Sequence, residues 1–119
     1  MRETFGTPII NHQINQFKIA ECLMKIESSR AMVWKSCWQK DNNISNTTTA
    51  SIAKAMASET AFFCADTAVQ MHGGLGYCED TGVAKLLRDS KIFMIYEGTS
   101  EIQRTIIAKR FISDLQKRI

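Results

Sequence analysis

The chain has 119 residues, a formal charge of +3 from 15 Lys and Arg against 12 Asp and Glu, and 45% hydrophobic residues with one proline and six glycines. That is the length and composition of one globular domain, and it excludes collagen-like, mucin-like and disordered chains. No apolar run is longer than residues 92–96, which excludes a transmembrane helix, and the basic residues are too dispersed for a nucleic-acid stripe.

No apolar segment follows Met1, Arg2 and Glu3, so no secretory leader is expected and reducing conditions are the default. Cys22, Cys37, Cys64 and Cys78 contain no CxxC pair and are expected to be free thiols. Residues 10–40 lack proline and glycine and predict one long helix. Phe17, Ala20, Met24, Ala31, Trp34 and Trp38 share one face of it; Glu27 interrupts that stripe and would need a partner there. Trp34 and Trp38 read as core or interface anchors. The polar stretch from Asp41 to Thr47 ends the helix.

A second helix is predicted from the region of Thr47–Thr49 to about Met71, with Ala50, Ala53, Ala57, Ala61, Cys64 and Ala68 forming a small-residue face. His72, Gly73, Gly74, Leu75 and Gly76 stop it. A short third helix is expected over residues 80–89. The apolar run 92–96 is not expected to be a strand, because nothing in the chain supplies a partner for it. The last helix starts after Gly98 with Ser100 and Gln103 as a capping box, and continues through Ile102, Ile106, Phe111, Leu115 and Ile119. The fold class is therefore all-α: an up-down helical bundle of two long helices, one short and one medium C-terminal helix, in a single domain 1–119.

Two glycine-containing breaks could carry chemistry. Around Gly73, Gly74 and Gly76 the bare backbone amides suit a phosphate, but no strand precedes them, so the dinucleotide fingerprint is not met and the residues by themselves favour a tight interhelical turn. At the second break Glu97 ends an apolar run just before a helix N-terminus, the setting of a candidate base or of a solvated loop carboxylate.

The residues Gln70, Gly73, Gly74, Gly76 and Tyr77, then Leu87-Arg88-Asp89-Ser90-Lys91-Ile92, then Ile95-Tyr96-Glu97-Gly98-Thr99-Ser100-Glu101-Ile102-Gln103-Arg104, closely resemble the C-terminal helical domain of acyl-CoA dehydrogenases. The resemblance extends upstream through Arg2, Phe5, Gly6, Pro8 and Ile9 to Gln13, Gln16, Phe17, Lys18 and Ala20. In full-length members this bundle follows an N-terminal helical domain and a middle β-domain, neither of which is recognised here.

The resemblance implies that Glu97 is the base removing the α-proton of an acyl-CoA thioester while the β-hydrogen leaves as hydride to FAD, giving a trans-2-enoyl-CoA. It implies that the Gly98 backbone lies against substrate, and that Thr99, Ser100 and Glu101 contact the flavin. Gln70, Met71, His72, Gly73 and Gly74 would reach the ADP half of an FAD bound mainly by a neighbouring subunit, with Arg2 and Gln13 on the same cofactor. A guanidinium such as that of Arg2 can grip a pyrophosphate in bidentate fashion. Arg88 and Asp89 are assigned to ion pairing. The further implications are a homo-oligomer, dimer or tetramer, with electron-transfer flavoprotein as electron acceptor, in the cytoplasm or mitochondrial matrix. The isolated chain is expected to be inactive. The competing expectation is a non-catalytic helical oligomerisation module.

Overall fold

The computed structural model describes residues 2–118. Uninterrupted helix-compatible sequence gives α1 (Gln13–Asp41), which ends where Asn43 turns left-handed at φ 56°. The amide of Ile44 then reaches back to Gln39 O at 2.8 Å and that of Asn43 to Lys40 O at 3.1 Å, closing a Schellman motif without glycine. Next comes α2 (Thr47–His72), which stops at Gly73 with φ 62°. A single turn, α3 (Gly74–Tyr77), precedes α4 (Val83–Ile92) and α5 (Ser100–Gln116).

The bundle is built around α2, which packs on all the other helices. Ser29 Oγ meets Thr60 Oγ1 at 3.0 Å, and the Asn46 side-chain amide donates to Ser36 O at 3.1 Å, so α1 runs antiparallel to α2. Lys91 stacks over the Phe62 ring while Phe93, just past α4, meets Lys54 further back on α2, so α4 is antiparallel to α2 as well; Gly98 meets Lys54 and Arg104 pairs with Glu59 at 2.6 Å, so α5 runs parallel to α2. The result is the expected all-α up-down bundle. It measures 62 × 27 × 26 Å with a radius of gyration of 18.3 Å, against ~13.5 Å for a compact domain of this length. The apolar residues buried among those described are Ala53, Ala55 and Val83. None of the described helices is long and apolar enough to cross a membrane.

Several expectations need correction. The first helix begins at Gln13: Ile9–Asn11 form a 3-10 turn, and His12 adopts an extended conformation before α1. Ahead of that turn lies a hairpin, β1 (Glu3–Thr4) with β2 (Thr7–Pro8), closed by Phe5 and Gly6, both at positive φ. A two-residue loop of this hand fits the strand twist, and it is too short to register as alternating polarity. The third helix starts at Val83, three residues late, because Gly82 at φ 71° separates it from a 3-10 turn at Glu79–Thr81. As expected, residues 92–96 form no strand; Ile92 ends α4, and the amides of Ile95 and Tyr96 turn back onto its carbonyl. The cap of α5 is Thr99, whose Oγ1 accepts from Ile102 N, and Ser100 and Gln103 are buried instead of forming a capping box. Ile119 lies outside the described residues.

The largest reversal concerns α1. The stripe expected on its inner face points outward, with Phe17 61%, Met24 70%, Trp34 67% and Trp38 58% exposed. The face against α2 carries Cys22, Lys25, Ser29 and Ser36, the two serines buried. Small side chains on both helices allow the closer approach, so bulk is displaced to the far side. Glu27 is consequently exposed and ion-pairs with Arg30, its neighbour on α1. The alanine face of α2 is only partly sealed: Ala53 is buried, the others on it are half-buried, and Ala55 is buried on another side, because α2 has neighbours all round.

Candidate active site

The loop of residues 93–99 between α4 and α5 carries the candidate base. Overlapping turns wind its first half, and Ser100 N donates to Met94 O at 3.0 Å, which folds the second half back beneath α5. The reversal needs left-handed backbone at two successive residues, Glu97 at φ 53° and Gly98 at φ 90°. The second of these requires glycine; a Cβ there would stand 2.7 Å from Gln103 Nε2. The first is held by a non-glycine residue, a conformation that costs ~1–2 kcal/mol.

Glu97 is exposed at the lip of a hollow of about 400 Å³ between this loop and α2. Its walls are Ala57 and Ala61 from α2 and the rings of Phe93 and Tyr96, whose centroids are 5.8 Å apart. The polar lining comes from Lys54 and Ser58. Lys54 Nζ donates to Phe93 O at 2.7 Å and to Gly98 O at 2.6 Å. Ser58 Oγ lies 2.8 Å from Phe93 O and 2.7 Å from Lys54 O, one of which takes its single proton. The Gln103 amide points at Glu97 O and Gly98 O, each at 3.4 Å.

At the start of α5, Glu101 is exposed, and its carboxyl is held below the usual carboxylate range by its own backbone amide and then by the Thr99 hydroxyl. Ser100 faces inward at 5% exposure, and its hydroxyl finds no partner among the described residues.

The other candidates gather at the opposite end of α2. Arg2 Nη1 donates to His72 O at 3.1 Å, and a Cβ on Gly73 would run into that guanidinium, so the glycine makes room for it. Arg2, Ile9, Met71, His72 and Leu75 line a hollow of about 260 Å³. His72 Nδ1 donates to Ala68 O at 2.8 Å, leaving Nε2 outward. A Cβ on Gly74 would meet nothing within 4 Å, whereas one on buried Gly76 would sit 2.5 Å from Val69 O. Gln70 and Gln13, the first residue of α1, are exposed and line neither hollow.

The structure thus sorts the candidates into two groups, Glu97 to Glu101 in one and Arg2 with Met71 to Gly74 in the other. Lys54 and His72 mark the two ends on one continuous helix, ~27 Å apart at 1.5 Å per residue. Arg88 and Asp89 belong to neither; they pair with Glu79 and Lys85 in exposed ion pairs. Sequence reasoning missed Lys54, Ser58 and Gln103. The one signal was Lys54 itself, the only lysine of an alanine-rich helix. Away from both groups all four cysteines are free, and burial together with the adjacent Cys22 thiol pushes the Cys64 thiol up to about 11.

Residues 1–112 match the family model of the acyl-CoA dehydrogenase C-terminal domain. The chain is 47% identical over 111 residues to Bacillus subtilis YngJ, named a probable acyl-CoA dehydrogenase, covering 93% of this chain and 29% of that protein. It is 41% identical over 107 residues to the mitochondrial short-chain specific acyl-CoA dehydrogenase of Bos taurus, covering 90% of this chain and 26% of the relative. Among solved structures, butyryl-CoA dehydrogenase from Megasphaera elsdenii superposes with a TM-score of 0.91 at 39% identity, over 94% of this chain and 29% of that one. The chain therefore spans less than a third of the length of these relatives.

Proposed function

Since this chain belongs to the acyl-CoA dehydrogenase family and corresponds to its C-terminal domain, we propose that it is the base-carrying domain of an enzyme that dehydrogenates an acyl-CoA thioester to a trans-2-enoyl-CoA, with Glu97 as the base. The observation that carries this reading is the position of Glu97: a carboxylate held in left-handed backbone at the lip of a largely apolar hollow. A thioester α-proton is weakly acidic, so its removal needs a base held at a fixed place, with water excluded once the acyl chain fills the space. Phe93, Tyr96, Ala57 and Ala61 supply apolar walls for such a chain. Gly98, lacking a Cβ, lets the thioester approach the backbone beside the base.

When bound, FAD supplies the acceptor for the hydride that leaves Cβ. Thr99, Ser100 and Glu101 would hold it at the start of α5, with Glu101, as an ionised carboxylate, accepting hydrogen bonds from the cofactor rather than meeting its phosphates. Arg2, Gln13, Gln70, Met71, His72, Gly73 and Gly74 would take the ADP half. The cradle formed by the Arg2 guanidinium beside bare Gly73 fits an anionic group. The ~27 Å between the two groups supports their serving two different cofactors, hence a homo-oligomer in which each chain completes a neighbour's site. The exposed apolar stripe of α1 supports the same assembly. Electron-transfer flavoprotein is the proposed electron acceptor, and the cytoplasm or mitochondrial matrix the compartment.

The test is a chimera in which residues 2–118 replace the matching segment of the Megasphaera elsdenii enzyme, assayed on butyryl-CoA with a dye acceptor. Turnover is expected, Glu97→Gln is expected to lower kcat by ~10²–10⁴-fold, and the isolated chain mixed with FAD is expected to show none. An active Glu97→Gln chimera would overturn the assignment and leave the domain as an assembly module.

A further inference from the structure

The loop that carries Glu97 is fastened by a residue far away in sequence. Where α4 ends, its last carbonyls have no helical partner and carry the negative end of the helix dipole. One of them, Phe93 O, opens the loop; Gly98 O closes it. A single side chain reaches both, the Lys54 ammonium, at 2.7 and 2.6 Å. Its partners among the described residues are these carbonyls and no carboxylate, so its charge is directed at the loop. Hydrogen bonds from an ammonium are about twice as strong as neutral ones, and two from one atom fix the separation of the loop's ends. Between those ends lies Glu97 at φ 53°, a conformation the residue does not favour by itself. The side-chain contact to the Glu97 backbone itself, from Gln103, is long at 3.4 Å.

We propose that Lys54 is a positioning residue for the Glu97 carboxylate: by bridging Phe93 O and Gly98 O it holds the loop in the conformation that keeps Glu97 at the lip of the hollow. The proposal rests on the reading of Glu97 as the base. Lys54→Met keeps the length of the stem and removes both bonds. Lys54→Arg keeps a cation able to span two acceptors.

Amide hydrogen exchange on the intact 119-residue chain reads the clamp without any activity. Lys54→Met is expected to speed exchange over residues 93–99 by about tenfold while α1 is unchanged, and Lys54→Arg to restore protection. In the butyryl-CoA chimera, Lys54→Met is expected to lower kcat about tenfold with KM unchanged, because the base is mislocated while the hollow stays open, and Lys54→Arg to recover most of that loss. Unchanged loop exchange overturns the clamp; faster exchange with unaltered kcat overturns its role in positioning. Should Lys54→Met open the whole chain, ¹⁵N-lysine spectra of the unsubstituted protein decide. Lys54 ammonium protons should exchange with water more slowly than those of exposed Lys40, and equal rates overturn the proposal. A chimera inactive whatever occupies position 54 would count against the catalytic reading, while exchange and spectra would still decide the clamp.

Discussion

Replacing Gly98 by alanine tests the local geometry of the site most sharply. Two costs add. An L-residue at φ 90° lies outside its favoured regions and forfeits ~1–2 kcal/mol. The new Cβ would meet Gln103 Nε2 at 2.7 Å, so that amide must swing away from Glu97 O and Gly98 O. Both of those bonds are long at 3.4 Å, and their loss is worth ~0.5 kcal/mol each. The sum is ~2–3 kcal/mol. With ~2.1 cal/mol/K per residue of unfolding entropy, the 119 residues give ~250 cal/mol/K, and Tm should fall by ~8–12 °C. Far-UV circular dichroism melts would measure this, with Gly74→Ala as control: that glycine has nothing within 4 Å of an added Cβ and no positive φ, so its Tm should stay within ~2 °C. Equal melting of the two variants would refute the argument that the Glu97–Gly98 reversal is a strained, sterically enforced feature.

Two further outcomes follow from the α1 side of the bundle. With its thiol pushed up to about 11, Cys64 is only ~0.1% thiolate at pH 8, against ~9% for a thiol at the ordinary 9.0, so iodoacetamide should modify it about 100-fold more slowly than such a thiol. The rate should rise about tenfold per pH unit up to about pH 10, and peptide mass spectrometry should find exposed Cys37 and Cys78 alkylated first; equal rates for Cys64 and Cys37 at pH 8 would refute the shift. Trp34 and Trp38 are 67% and 58% exposed, so the double change to serine should leave the helical content unaltered yet raise the dissociation constant of any self-association at least tenfold. Sedimentation identical to the parent would place the assembly surface elsewhere.

The elements legible in the sequence are those set by local chemistry. Freedom from proline and glycine drew α1, glycine stopped α2 at 73, and Ile92 to Tyr96 was too isolated to form a ladder, whereas the break at Gly82 falls within the span expected as helix. Local chemistry also misled where two devices competed: Ser100 and Thr99 can both cap α5, and the backbone geometry selected Thr99. The candidate site was legible as motifs, yet its two-ended layout was not, because that depends on the length of α2 lying between Lys54 and His72. Lys54 touches carbonyls 39 and 44 positions away, a relation that no periodicity encodes.

The inverted face of α1 follows from one preference. Hydrophobic patterning assumes that bulk turns inward, and it fails when a helix pair is held by the closeness of its backbones. Ser29 and Ser36 meet Thr60 and Asn46 across that seam with satisfied hydrogen bonds, so these buried serines are not penalised there. The seam leaves Phe17, Met24, Trp34 and Trp38 outside, while the buried apolar residues among those described are two alanines and a valine. Few apolar side chains are buried in this interior, and this much exposed apolar surface along one helix is costly in water. Covering it would add the stability that the interior lacks, and a covering copy of the chain would bring its own Arg2 and Gly73 cradle with it. The polar seam inside α1 and the apolar stripe outside it are therefore two sides of the same choice, which favours a domain that acts as part of an assembly.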